Sequence, residues 1–183
     1  MGKLVAFEWT SVDGVFDASN MDQWFFPYDS ADRRNFIKKT YEEADAFLMG
    51  RTTYEMLAPY WAGLPDDDKD GLAEVLTHTP KVIASEGSTV AAWGETTVIK
   101  GDIVAEVTKL KNETDTTMVI GSALLAEELA QAGLIDEYRL LVQPFIMGTG
   151  KQFFSEGMKT ALELIEVKEL DQGILLLRYQ VKK

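Results

Sequence analysis

Ala46-Phe47-Leu48-Met49-Gly50-Arg51-Thr52-Thr53-Tyr54-Glu55 is the stretch whose reading decides the fold. Residues 46–49 form an apolar run of buried-strand length, and Gly50 ends it. Thr52 and Glu55, three apart, match a capping box, which predicts a helix starting directly after Arg51. A strand, a glycine turn and a helix N-terminus therefore follow one another within ten residues. Such a junction gathers unpaired backbone N–H groups and the positive end of a helix dipole at one point, which suits a phosphate. Arg51 adds a guanidinium able to hold that phosphate with two hydrogen bonds. Read alone, Gly50 is equally a tight-turn residue and Arg51 a surface cation.

The same grammar recurs downstream. Residues 118–120 read as a buried strand ending at Gly121, and Ser122 is placed to cap a helix running to Gly133. Residues 4–10 read as a strand and 11–14 as a turn. The stretch to Pro27 is an aromatic-rich loop, and 30–43 is a helix with Asp29 as its N-cap. The paired cations Arg33-Arg34 and Lys38-Lys39 are expected on that helix's solvated face. Strands are predicted at 81–84, ending at Ser85, and at 97–99, with a helix over 103–110. Residues 138–144, 162–170 and 174–181 read as extended, the last two joined at Asp171-Gln172-Gly173. The result is an α/β chain with a mixed sheet and an antiparallel edge, expected as one domain over 1–183.

Composition narrows the chemistry. The 183 residues contain no cysteine and one histidine, which removes disulfides, thiolate catalysis and cysteine or histidine-cluster metal sites. A net charge of −12 repels polyphosphate backbones, so no nucleic-acid partner is expected. No apolar run approaches a membrane span, and Glu8 breaks any leader core, so a cytoplasmic location away from membranes is expected. Met147-Gly148-Thr149-Gly150-Lys151-Gln152 fails as a Walker loop, because Gln152 stands where Ser or Thr is required, and no GxGxxG follows a strand.

In order and spacing the segments resemble the dihydrofolate-reductase-like superfamily. Residues 48–55 are similar to its Met-Gly-Arg segment, 119–123 to its later glycine turn, and Trp24-Phe25-Phe26-Pro27-Tyr28-Asp29 to the end of its mobile active-site loop. The resemblance spans residues 4–181. Gly133-Leu134-Ile135-Asp136-Glu137, Pro144, residues 148–154 and Ser11-Val12-Asp13-Gly14 point more narrowly to the RibD C-terminal family of riboflavin-biosynthesis reductases. One departure stands out: Ser122 replaces the second of the paired glycines usual in the cofactor turn.

The resemblance implies a three-layer α/β/α fold and a homodimer. It also implies transfer of a hydride from NADPH to a small heterocyclic substrate, of the 5-amino-6-(5-phosphoribosylamino)uracil reductase or dihydrofolate reductase type. It assigns Gly50, Arg51, Thr52, Thr53, Ser85, Gly121, Ser122, Ala123 and Leu124 to the cofactor. Asp13, Trp24, Phe26, Gly148 and Lys151 fall on the substrate side, Lys151 being the cation available for a ribose phosphate. Asp29 is the candidate proton donor, with the helix N-cap as its competing reading; Asp13 is likewise a substrate-loop residue or an ordinary turn aspartate. The alternative function is a catalytically inactive nucleotide-binding or interaction module on the same fold.

Overall fold

A computed structural model describes residues 1–87 and 90–183. Its centre is an eight-stranded sheet built from β1 (Lys3–Ser11), β2 (Ala46–Gly50), β3 (Lys81–Ala84), β4 (Thr96–Ile99), β5 (Thr116–Ile120), β6 (Glu137–Gln143), β7 (Leu162–Glu169) and β8 (Leu175–Val181). The strand order is β4-β3-β2-β5-β1-β6-β8-β7. Pairing is parallel from β4 through β6 and antiparallel across β6-β8 and β8-β7, so the expected mixed sheet is observed. β1 sits in the interior with Phe7 opposite Ile120 of β5 and Arg139 of β6. A parallel strand in that position is covered on both faces, which explains the run from Leu4 to Phe7, all buried.

Among the described residues six α-helices accompany the sheet: α1 (Met21–Trp24), α2 (Ala31–Tyr41), α3 (Arg51–Trp61), α4 (Leu72–His78), α5 (Ile103–Glu113) and α6 (Ala123–Gln131). One core packs α2, α3 and α4 on the sheet through Ile37, Tyr41, Tyr54, Leu72 and Leu76. The other packs α5 and α6 through Val107, Leu125, Ala126 and Leu129. These are the three layers. Tyr41 meets Phe7 and Phe47 edge-on at centroid distances of 5.6 and 5.1 Å. Each such contact contributes about 0.5–1.5 kcal/mol beyond burial, and together they fix α2 over β1 and β2. Among the described residues no helix is long and apolar enough to cross a membrane.

Several local expectations are corrected. Ser30, not Asp29, caps α2, its Oγ accepting the Arg33 N–H at 3.1 Å. Arg33 does not lie on a solvated face. It is 2% exposed, donates to the Phe25 carbonyl at 2.7 Å and lies 4.1 Å over the Phe25 ring, which in turn stacks on Trp9. The capping box at Thr52 and Glu55 does not form: α3 begins one residue early, with Gly50 as an N-cap lacking a side-chain bond, and the Glu55 carboxylate takes Arg51 Nε at 2.8 Å. Ser122 stands at the N-cap of α6, but with φ +67° and no capping hydrogen bond. The aromatic loop before Pro27 contains short helical turns, α1 among them.

Candidate active site

The carboxyl ends of β1, β2 and β5 converge, and with them both predicted phosphate turns. Ser122 Oγ accepts the Gly50 N–H at 2.8 Å and shares a hydrogen bond with Thr53 Oγ1, also at 2.8 Å. Left-handed backbone at two successive residues, Gly121 (φ +60°) and Ser122, aims the serine hydroxyl across at α3 instead of along its own helix. Gly121 has no room for a side chain, because a Cβ there would lie 2.6 Å from Thr53 Cγ2. The two turns are therefore one corner.

That corner carries a matched set of donors. Arg51 Nη1 reaches Ser85 Oγ at 3.4 Å, which brings the end of β3 into the group. The hydroxyls of Thr53, Ser85 and Ser122, the Arg51 guanidinium and the first-turn N–H groups of α3 and α6 fit a phosphate-bearing group such as a dinucleotide. Thr52 and Leu124 are exposed in the first turns, and Ala123 is half-buried beside them. The ion pair of Arg51 with Glu55 is itself well exposed, so exchanging it for a phosphate costs little.

Next to the corner lies a cavity of about 100 Å³. Phe7, Glu8 and Trp9 of β1, Gly121, Thr53 and Trp61 of α3, and Met21 and Trp24 of α1 are among its lining residues. Trp24 is buried and donates Nε1–H to the Asp17 carbonyl at 3.2 Å, which closes this side of the cavity. The charged residue in the lining, among those described, is Glu8. Its Oε2 accepts the Gly121 N–H at 3.1 Å, while Oε1 is buried without a hydrogen-bond partner. Burial, the dominant influence, pushes the Glu8 carboxyl well above the usual carboxylate range against the opposing pull of the Gly121 N–H. Sequence reasoning missed this residue and used it only as a charge that interrupts a leader core. The available signal was a glutamate inside an otherwise apolar strand.

The other predicted residues lie elsewhere. Asp29 is half-exposed and is not among the cavity-lining residues; Oδ1 meets Arg33 Nη2 at 3.1 Å and Oδ2 meets Arg34 Nη1 at 2.6 Å. Phe26 is exposed and outside the lining. Asp13 accepts from the Met147 N–H at 3.0 Å, from the Gly148 N–H at 2.7 Å and from the Ser11 hydroxyl at 2.6 Å, so it clasps the 145–151 loop to β1. These bonds, the Ser11 one foremost, bring its carboxyl down to about 2. Lys151 is exposed, its backbone N–H 3.4 Å from Asp17 Oδ2.

The three layers and the joined glycine turns give the chain a dihydrofolate-reductase-like fold. The likeness extends to a dihydrofolate reductase from Enterococcus faecalis complexed with NADP(H), at TM-score 0.67 and 17% identity, covering 100% of this chain and 98% of that one. The chain belongs to the RibD C-terminal domain family, whose model matches residues 3–176. It is similar over 99% of both chains to a candidate riboflavin biosynthesis protein from Shewanella sp. PV-4, with TM-score 0.78 and 20% identity. Among curated relatives, the uncharacterized protein YwjB of Bacillus subtilis is 26% identical across 95% of each chain.

Proposed function

We propose that the protein is an NADPH-dependent oxidoreductase that reduces a small planar heterocycle, of the 5-amino-6-(5-phosphoribosylamino)uracil reductase type. The observation that carries this reading is the Gly50–Ser122–Thr53 junction, which joins the two turns into one corner beside a cavity. When bound, NADPH supplies a hydride. The chain's own work is to hold and orient. Arg51, Thr52, Thr53 and Ser85 take the adenosine-side phosphate, and the α6 turn at Gly121, Ser122, Ala123 and Leu124 takes the pyrophosphate. Gly121 is the point of close backbone approach.

On the substrate side Trp24 covers the ring in the cavity and excludes water. Phe26 meets the outer edge, Lys151 takes a ribose phosphate, and Asp13 acts through the Met147 and Gly148 loop that it holds. The cavity is smaller than the several hundred Å³ of sites for drug-sized ligands, so a heterocycle enters as Met21 and Trp24 move outward. We assign the protein to the cytoplasm, where a chain without cysteine is indifferent to the reducing conditions. We further assign a homodimer formed on β7, the outer strand, which exposes Leu164, Ile165 and Val167.

The experiment is a fluorescence titration with NADPH, followed by NADPH oxidation with dihydrofolate and with the deaminated pyrimidine ribosylamine phosphate of riboflavin synthesis. Saturable binding and turnover of one of the two is the expected result. Absence of binding would instead favour a non-catalytic module on this fold.

A further inference from the structure

We propose that Glu8 is the proton donor of the cavity: its Oε1 hydroxyl gives a hydrogen bond, and during reduction a proton, to the ring nitrogen or carbonyl oxygen of the planar substrate. This assignment rests on the reductase reading above.

The geometry separates the two carboxyl oxygens. Oε2 is used as an acceptor by the Gly121 N–H, the role of the carbonyl oxygen in a neutral carboxylic acid. Oε1 is buried with no partner, in a side chain that is 3% exposed and lines the cavity. An ionised carboxylate here would leave a charged oxygen facing apolar walls, whereas a hydroxyl at Oε1 waits for an acceptor that the cavity's occupant brings.

The surroundings support the neutral form from every side. Tyr41 of α2 is the titratable neighbour, itself raised by burial first and by Glu8 second. α3 contributes the Thr53 hydroxyl and apolar side chains, α4 contributes Leu72 and Leu76, and α1 contributes Met21 and Trp24. Among the described residues none of these elements turns a cation toward Glu8. Asp29, by contrast, is spoken for, since each of its oxygens is held by a guanidinium.

The step balances. Reduction of a C=N or C=O group adds a hydride to carbon and breaks the π bond, whose electron pair passes to the heteroatom. That heteroatom takes the proton from Glu8 Oε1, and the carboxylate left behind is reprotonated by solvent. The substrate gains two electrons with the hydride, which NADPH would supply when bound. The amide that Glu8 binds belongs to Gly121, so the cavity that Glu8 lines adjoins the turn assigned to the cofactor.

The test compares the wild type with Glu8→Gln, which keeps an acceptor for Gly121 and a donor toward the cavity but cannot give up a proton. Without any ligand, infrared spectroscopy at neutral pH should show a protonated-carboxyl band in the wild type that Glu8→Gln lacks. The wild-type melting temperature should fall as pH rises from the ordinary value of 4.5 toward the raised native value, because the unfolded chain ionises first. Glu8→Gln should lack that fall. With an established substrate, Glu8→Gln should lose roughly 10²-fold or more in turnover, the range of a general acid, at unchanged NADPH affinity. A missing band, or unchanged turnover, overturns the assignment while the reductase reading stands. A band present in a protein that does not bind NADPH overturns the reductase reading and leaves Glu8 a neutral hydrogen-bond donor.

Discussion

The Ser122 hydroxyl accepts the Gly50 N–H at 2.8 Å, linking the turn that follows β5 to the turn that follows β2 across 72 residues of chain. The serine that interrupts the expected glycine pair thus does structural work that a second glycine could not. Ser122 holds left-handed backbone (φ +67°), which costs a non-glycine residue about 1–2 kcal/mol. Ser122→Ala keeps that cost and loses both hydrogen bonds, so it should destabilise the fold by roughly 1–3 kcal/mol. Ser122→Gly loses the same bonds but relieves the backbone, so its melting temperature should lie between wild type and Ser122→Ala. Thermal denaturation of the three proteins decides; the reverse order of the two variants would remove the backbone argument.

Arg51 stands where α3, β3 and the corner meet, paired with Glu55 and touching Ser85. A charge-assisted hydrogen bond contributes about 1.5–3 kcal/mol, so Arg51→Ala should weaken NADPH binding by roughly tenfold to a hundredfold. NADH, which lacks the extra phosphate, should lose much less. The Arg51–Glu55 pair is exposed, so stability should change by no more than about 1 kcal/mol. Calorimetric titration of both cofactors is the measurement, and equal losses would put Arg51 on the shared pyrophosphate alone.

Asp29 holds Arg33 and Arg34, and Arg33 in turn supports Phe25 and Trp9 at the cavity's edge. Asp29→Asn leaves the Ser30 cap intact but weakens the partner of a buried guanidinium, so a loss of roughly 1–3 kcal/mol in stability is expected. Turnover per folded molecule should stay within about threefold of wild type, far from the 10²-fold of a general acid. A drop of that larger size at full folding would return the proton to Asp29.

Asp13 titrates at about 2 in the folded chain, below its ordinary value of 3.8. A lowered native value means stability that is fully present above pH 3.8 and is lost as pH falls toward 2. Asp13→Asn should flatten that acid limb and loosen the 145–151 loop. Hydrogen exchange at the Met147 and Gly148 amides should rise in the variant at neutral pH. Unchanged protection there would mean the loop is held by other contacts.

How far the sequence carried the reading varies by residue. The strand-glycine-helix junctions at Gly50 and Gly121, the hairpin at 171–173 and the mixed sheet were legible, because each is set by local turn chemistry and by a hydrophobic period of a few residues. Caps were less legible. Asp29 and Ser30 are neighbours of the same capping type, and Arg33, drawn in under Phe25, competes for the aspartate. Glu55 matches a capping box in sequence, yet the exposed Arg51 offers its carboxylate a charged partner.

The sequence by itself determined that this chain alternates strands and helices, places glycines at two strand ends, and has neither the cysteine nor the histidine cluster for thiolate or zinc chemistry. Only the tertiary structure decided what those turns face. Strand order puts β5 between β1 and β2, and that order brings Gly121 onto Glu8 and Ser122 onto Gly50. It also leaves β1 with neighbours on both edges and layers on both faces, so the carboxyl group at position 8 has no solvated side to turn to. Pairings between residues 72 or 113 positions apart depend on which strands are neighbours, a property of the packed sheet that no local period encodes.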